Sequence, residues 1–197
     1  MIPNFSGHPA SLCLGLTGRM AAGKGEAVVI LGKIGFRYIS LSDMVRREVQ
    51  RLGREVTRHE MQDIGNRLRS EGGAGVLGLQ VRQVIEGEVV QPWVVDGIRN
   101  PAEVAELRRL PNFRLLGITA RPDILIQRLL SRGRATDSAT VEELQQRLDR
   151  EWGIGEPPDG QQVGACLQQA DFVVENNSSL EQFERELREV LERFGGK

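Results

Sequence analysis

The sequence predicts an α/β domain built around a parallel sheet, and two observations carry that prediction. Short runs that are apolar on nearly every residue, at 12–17, 36–39, 92–96, 113–119 and 171–175, alternate with segments of helical periodicity. Such runs suit strands covered on both faces. The first run passes directly into Gly18-Arg19-Met20-Ala21-Ala22-Gly23-Lys24-Gly25, ahead of an apolar-periodic helix. A strand, a glycine-rich loop with a lysine and a helix, in that order, form a site for a polyphosphate. The glycines let backbone N–H groups turn inward, the lysine adds a point charge, and the helix contributes its positive end.

The elements follow in order. Residues 1–10, with Pro3, Gly7 and Pro9, read as a loose leader. The helix after the loop spans 24–34 and stops near Gly35. The next covers 43–52, with Ser42 or Asp43 available as its cap. A helix over 58–70 has Thr57 as N-cap and Glu60 three residues on, a capping box. Further helices are expected at 75–86, 101–109, 122–132, 140–151, 161–169 and 179–194. The last aligns Leu180, Phe183, Leu187, Val190, Leu191 and Phe194 on one face, with Glu181/Arg185, Glu184/Arg188 and Glu189/Arg193 at i,i+4 on the other. That helix reads as packing. The stretches 42–88 and 131–170 exceed what a simple crossover needs. They read as helical excursions, 42–88 for an acceptor and 131–160 as a lid, of the kind that exclude water from a transferring phosphoryl group.

Composition bounds the partners. A chain of 197 residues is of single-domain size, so 1–197 is taken as one domain. With 26 basic and 27 acidic residues the net charge is −1, which gives neither nucleic acid nor an anionic membrane a bulk attraction. Cys13, Cys166, His8 and His59 do not cluster as zinc ligands, and Cys13, inside the first strand, is expected to be a buried thiol. No long apolar run and no secretory pattern is seen, so the expected location is the cytoplasm. Oligomeric state is not specified by these features.

Three further segments carry candidate chemistry. In Ser40-Leu41-Ser42-Asp43-Met44-Val45-Arg46 a strand ends and a helix opens, which sets Arg46 near the carboxyl edge of the sheet, where open α/β folds bind ligands. In Trp93-Val94-Val95-Asp96-Gly97-Ile98-Arg99-Asn100-Pro101 a buried strand ends in an aspartate. Asp96 either helps hold Mg2+ beside the phosphates or caps the turn, and Arg99 offers a planar fork to a second phosphate. Arg132, Arg134, Arg147 and Arg150 flank the lid segment. They read either as cations that close over a transferring phosphoryl group, with Arg134 and Arg147 the foremost, or as members of surface ion pairs. Glu26 follows Gly25 where a phosphate loop normally carries Ser or Thr. It either takes over metal contact or serves as a favourable first-turn charge.

Taken together and in order, Gly18-x4-Gly23-Lys24-Gly25, Ile39 to Arg46 and Val95 to Arg99 resemble the nucleoside monophosphate kinase group of phosphate-loop (P-loop) kinases. Adenylate kinases have a similar loop ending in Gly-Lys-Gly. Ile98 to Val104 and Gly160-Gln161-Gln162-Val163 are similar to the kinase-like domain of deoxycytidylate-deaminase-type proteins. Gly-Lys-Gly-Glu loops also occur in an archaeal dephospho-coenzyme A kinase-like group, and Ala170 to Asn176 is similar to dephospho-coenzyme A kinases. The resemblance implies a three-layer α/β/α P-loop fold with a five-stranded parallel sheet, and ATP and Mg2+ as cofactors. It implies ATP-dependent transfer to a nucleotide-like acceptor, with dephospho-coenzyme A as the alternative. A non-catalytic nucleotide-binding regulator and a plain ATPase are the readings from other classes. By the same resemblance Lys24 contacts the β- and γ-phosphates, and backbone N–H groups of Ala21 to Glu26 line the phosphate nest. Ser42, Asp43, Arg46 and Arg99 then face the acceptor, with Asp43 the base if the acceptor is a hydroxyl. Leu41 stands where many adenylate kinases carry Thr, which counts against AMP as acceptor.

Overall fold

The structure, a computed structural model, describes residues 12–131 and 140–195. Five strands, β1 (Cys13–Thr17), β2 (Arg37–Ser40), β3 (Trp93–Ile98), β4 (Phe113–Thr119) and β5 (Phe172–Glu175), form one sheet in the order β2-β3-β1-β4-β5. All pairings are parallel. The helices are α1 (Lys24–Lys33), α2 (Leu41–Arg51), α3 (Arg58–Gly72), α4 (Val76–Glu86), α5 (Pro101–Leu107), α6 (Pro122–Ser131), α7 (Val141–Trp152), α8 (Val163–Gln168) and α9 (Leu180–Gly195).

The three central strands, β1, β3 and β4, are largely apolar because side chains on both faces are buried, and their period of two sorts them into two cores, whereas edge strands β2 and β5 expose half or more of their residues. Leu12, Leu14 and Leu16 join Val94, Leu116 and Ile118 under α1 and α9. Cys13, Trp93, Val95, Phe113 and Leu115 face the opposite side with Met44, Val45, Leu77 and Val104. Burial pushes the Cys13 thiol up to about 12, so it remains an inert core group. Among the described residues no helix is long and apolar enough to cross a membrane.

Local details differ from the sequence reading in two places. α2 begins at Leu41, not 43, because Ser40 is its N-cap: Ser40 Oγ accepts from Asp43 N, and Asp43 Oδ2 accepts from Ser40 N. At α3 Thr57 caps as expected, but only half of the box forms. Thr57 Oγ1 accepts from Glu60 N, while the Glu60 carboxylate pairs with Arg54 at 3.0 Å.

Central β1 delivers the chain to the glycine loop at the carboxyl edge of the sheet. Gly18, at φ 147°, packs so closely on β4 that a Cβ there would lie 2.0 Å from the Ile118 carbonyl oxygen. Backbone cannot yield as a side chain does, so Gly18→Ala is expected to cost about 3 kcal/mol. That corresponds to roughly 6–12 °C in a thermal melt.

Candidate active site

The loop between β1 and α1 turns through three residues with positive φ, Gly18, Ala21 and Gly23. Gly23 is the α1 N-cap, in the left-handed region, and makes no side-chain cap bond, so the positive end of α1 faces the loop. Lys24 Nζ donates to Gly18 O at 2.6 Å and Arg19 O at 3.0 Å, lying back over its own loop.

The back of the loop is braced from distant sequence. Asn176, which follows β5 and is 6% exposed, donates from Nδ2 to Ala22 O at 2.9 Å. Arg128 of α6 donates to Ala21 O and to Asn176 O and Oδ1. Gly23 is required there, because a Cβ would sit 2.2 Å from Asn176 Nδ2.

In front of the loop lies a cleft of about 490 Å3 that shares Met20 with it. Its lining combines apolar Leu41, Val45, Met61 and Leu77 with four arginines, Arg69, Arg99, Arg147 and Arg150, and two glutamates, Glu151 and Glu156. Ser42 and Gln161 add polar groups. Arg99 donates to Gln161 Oε1 at 3.2 Å. The turn that carries Arg99 is fastened from two sides. Asn100 Nδ2 donates to Pro158 O and Gly160 O, and Gln162 N donates to Arg99 O at 2.6 Å. Beneath it lies Glu103, wholly buried at 0% exposure. Its Oε2 accepts from Arg99 N at 2.8 Å and Asn100 N at 3.1 Å, and its Oε1 faces Arg69 at 3.5 Å. Burial raises the Glu103 carboxyl above the ordinary range, against the pull of those N–H donors and of Arg69 and Arg99.

Residues predicted for the acceptor are divided by α2. Ser42 and Arg99 line the cleft. Asp43 and Arg46 line a separate hollow of about 310 Å3 on the β2 edge, with Arg37, Arg47 and Trp93. There Arg46 donates to Asp43 Oδ1 at 2.5 Å. Both Asp43 oxygens are thus engaged, one by Arg46 and the other by the helix cap, and the side chain lies away from the cleft. Arg147 lines the cleft, Arg150 pairs with Glu156 at 2.8 Å, and Arg134 and Arg132 fall outside the described residues. Asp96 does not end its strand as the sequence suggested: β3 runs on through Gly97 to Ile98, Asp96 pairs with Ser40 of β2, and its Oδ1 accepts from Gly97 N at 2.7 Å. Glu26 sits half-buried in the first turn of α1. Among the described residues no group of three or more His, Cys, Asp or Glu could hold a metal.

Arg69, Glu103 and Glu151 were not singled out from sequence, although Glu103 lies in the Ile98–Val104 run. Glu151, on α7 and 2% exposed, accepts at Oε2 from Met20 N of the loop at 2.5 Å. Next to it Trp152 carries the Arg19 guanidinium, 4.2 Å from the ring centroid.

Solved structures share this fold. TT1252 from Thermus thermophilus superposes with a TM-score of 0.61 at 24% identity, over 96% of this chain and 100% of that one. A shikimate kinase from Acinetobacter baumannii gives 0.60 at 14%, over 95% and 97%. A dephospho-CoA kinase from Campylobacter jejuni gives 0.52 at 16%, over 94% and 98%. The architecture is thus the three-layer P-loop kinase fold with a five-stranded parallel sheet. No family model matches the chain. Sequence relatives are nearer. A UPF0200 protein of Methanoculleus marisnigri is 37% identical over 185 residues, 93% of this chain and 97% of the relative. One of Pyrococcus horikoshii is 31% identical over 184 residues, 91% and 95% of the two chains. Identity at this level over nearly the whole length of both chains places the protein in the UPF0200 family.

Proposed function

We propose that the protein is an ATP-dependent phosphotransferase acting on a small nucleotide-like acceptor that itself carries a phosphate. The observation that carries this reading is the shared boundary at Met20 between the Lys24 loop and a cleft lined by Arg69, Arg99 and Arg147. A donor phosphate chain at the loop and an anionic acceptor in the cleft would meet there.

In this reading Lys24 exchanges the Gly18 and Arg19 carbonyls for the β- and γ-phosphates, and loop N–H groups take the remaining oxygens. Mg2+, when bound, supplies charge neutralisation between the β- and γ-phosphates, and Asp96, with Glu26 as second candidate, would hold it. Arg99 clamps the acceptor anion, and Arg147 faces the transfer site. An acceptor oxygen attacks the γ-phosphorus as the bond to the β–γ bridging oxygen breaks, and ADP leaves. A phosphate acceptor needs no general base. A hydroxyl acceptor does, and Asp43, matched to that role, is engaged outside the cleft. That observation favours a monophosphate over dephospho-coenzyme A.

Incubation with ATP, Mg2+ and a panel of dCMP, dTMP, AMP and dephospho-coenzyme A tests the reading. Phosphate gained by a nucleoside monophosphate is the expected result. Transfer to dephospho-coenzyme A alone would reverse the preference. ATP-dependent thermal stabilisation without transfer to any acceptor would point to a nucleotide-binding regulator, and phosphate release alone to an ATPase. In the active case Arg99→Ala is expected to raise the acceptor KM by about 10–100-fold, with the ATP KM changed less than about twofold.

A further inference from the structure

A phosphate loop exists to receive anions, yet in this protein the Met20 N–H, one residue before the N–H groups read as the phosphate nest, already holds a carboxylate. Glu151 reaches that N–H from α7, 131 residues along the chain, with 2.5 Å between Oε2 and Met20 N. The carboxylate has little freedom to withdraw. It is 2% exposed, and its neighbour Trp152 is wedged against α8, where a Cβ on Gly164 would lie 2.7 Å from the ring. The Trp152 ring also carries the Arg19 guanidinium. A phosphate chain on the adjacent N–H groups therefore lies beside a carboxylate that lines the cleft and cannot swing out into water.

We propose that Glu151 is a specificity-determining residue of the donor site, setting a preference for a polyphosphate that carries a divalent cation over the bare anion. The inference rests on the reading of the loop as an ATP site. Its basis is charge. Arg150 is committed to Glu156 and Arg69 faces Glu103. A bare phosphate chain beside a retained carboxylate meets like charge in a poorly solvated place, where repulsion is weakly screened. A chain that brings a cation presents the carboxylate with an opposite charge instead. Removing the negative charge from Glu151 should therefore help the bare anion far more than the metal complex.

The test is calorimetric binding of ATP with Mg2+ and ATP with EDTA to the full chain and to Glu151→Gln. Gln keeps an oxygen that can accept from Met20 N, so the loop remains braced. Any effect common to both ligands cancels in the ratio of the two affinities. The expected result is a Mg2+ preference smaller by about tenfold in Glu151→Gln, chiefly through tighter binding of metal-free ATP. An unchanged or larger preference overturns the proposal, and so does binding lost equally for both ligands. Lys24→Ala serves as the reference. If the unsubstituted chain binds no ATP, or binds it equally well without Lys24, the donor-site reading fails and the proposal falls with it. If the chain binds ATP through Lys24 and the ratio does not move, only the role of Glu151 is lost.

Discussion

Lys24→Ala is expected to weaken ATP binding by about 100-fold and to leave the fold standing. The two halves of this expectation have separate causes. Lys24 donates to two carbonyls of its own loop, Gly18 O and Arg19 O. Losing that donor in a half-exposed position costs about 1 kcal/mol, because water can replace it. The loop is held independently by Asn176 and Arg128 and by the close fit of Gly18 on β4. For the donor phosphates, by contrast, Nζ supplies a full positive charge and up to three hydrogen bonds where negative charge is densest. The measurement is the rise in melting temperature with ATP concentration. The unsubstituted chain is expected to gain stability steadily as ATP exceeds its dissociation constant, and the Ala variant to need about 100-fold more for the same shift. A variant that melts many degrees lower without ligand would mean that Lys24 braces the loop. A variant that responds to ATP like the parent would remove the loop from the donor site.

The loop was legible because all its parts are contiguous. Strand, glycines, lysine and helix fall within residues 12–34, and each obeys a local rule. The central strands were legible for a related reason: burial on both faces makes β1, and most of β3 and β4, apolar runs. What escaped is what depends on contacts far apart in sequence. Glu151 reads as one more charge on the polar face of an amphipathic helix, and nothing local marks it as bonded to Met20. Arg69 looks like a surface arginine near the end of α3 until the fold sets Glu103 beneath it, 34 residues away. Arg46 shows a different limit: closeness to the sheet edge does not say which face of a helix a side chain occupies. Its place three residues after Asp43 turns it toward the β2 edge, while Ser42 faces the cleft.

Glu103 ties stability to the cleft, so its replacement should have the largest structural effect. Glu103→Ala is expected to cost about 3 kcal/mol, because it strands two buried N–H groups, Arg99 and Asn100, and takes away the carboxylate facing Arg69. Glu103→Gln retains an accepting oxygen, and its cost should be smaller and dependent on pH. Burial holds the folded-state carboxyl above its unfolded value, so the folded chain binds the proton more readily than the unfolded one. The corresponding stability is fully present below the unfolded value and is lost as pH rises through the folded one. The Gln side chain, always neutral, has no such loss. The stability of the parent relative to Glu103→Gln should therefore decline from acid toward neutral pH, measured by urea unfolding of both chains at each pH. A difference that grows over that range would mean that Arg69 and the two N–H groups outweigh burial and hold the carboxyl below its ordinary range. The protonation of Glu103 also bears on the cleft. A neutral Glu103 leaves the charges of Arg69 and Arg99 uncompensated and favours an incoming anion, whereas an ionised one offsets part of that charge. On this argument Glu103→Gln should bind an anionic acceptor at least as tightly as the parent at neutral pH. Glu103→Ala, with the Arg99 turn released, should bind it more weakly, and that contrast separates the charge of Glu103 from its role in holding the turn.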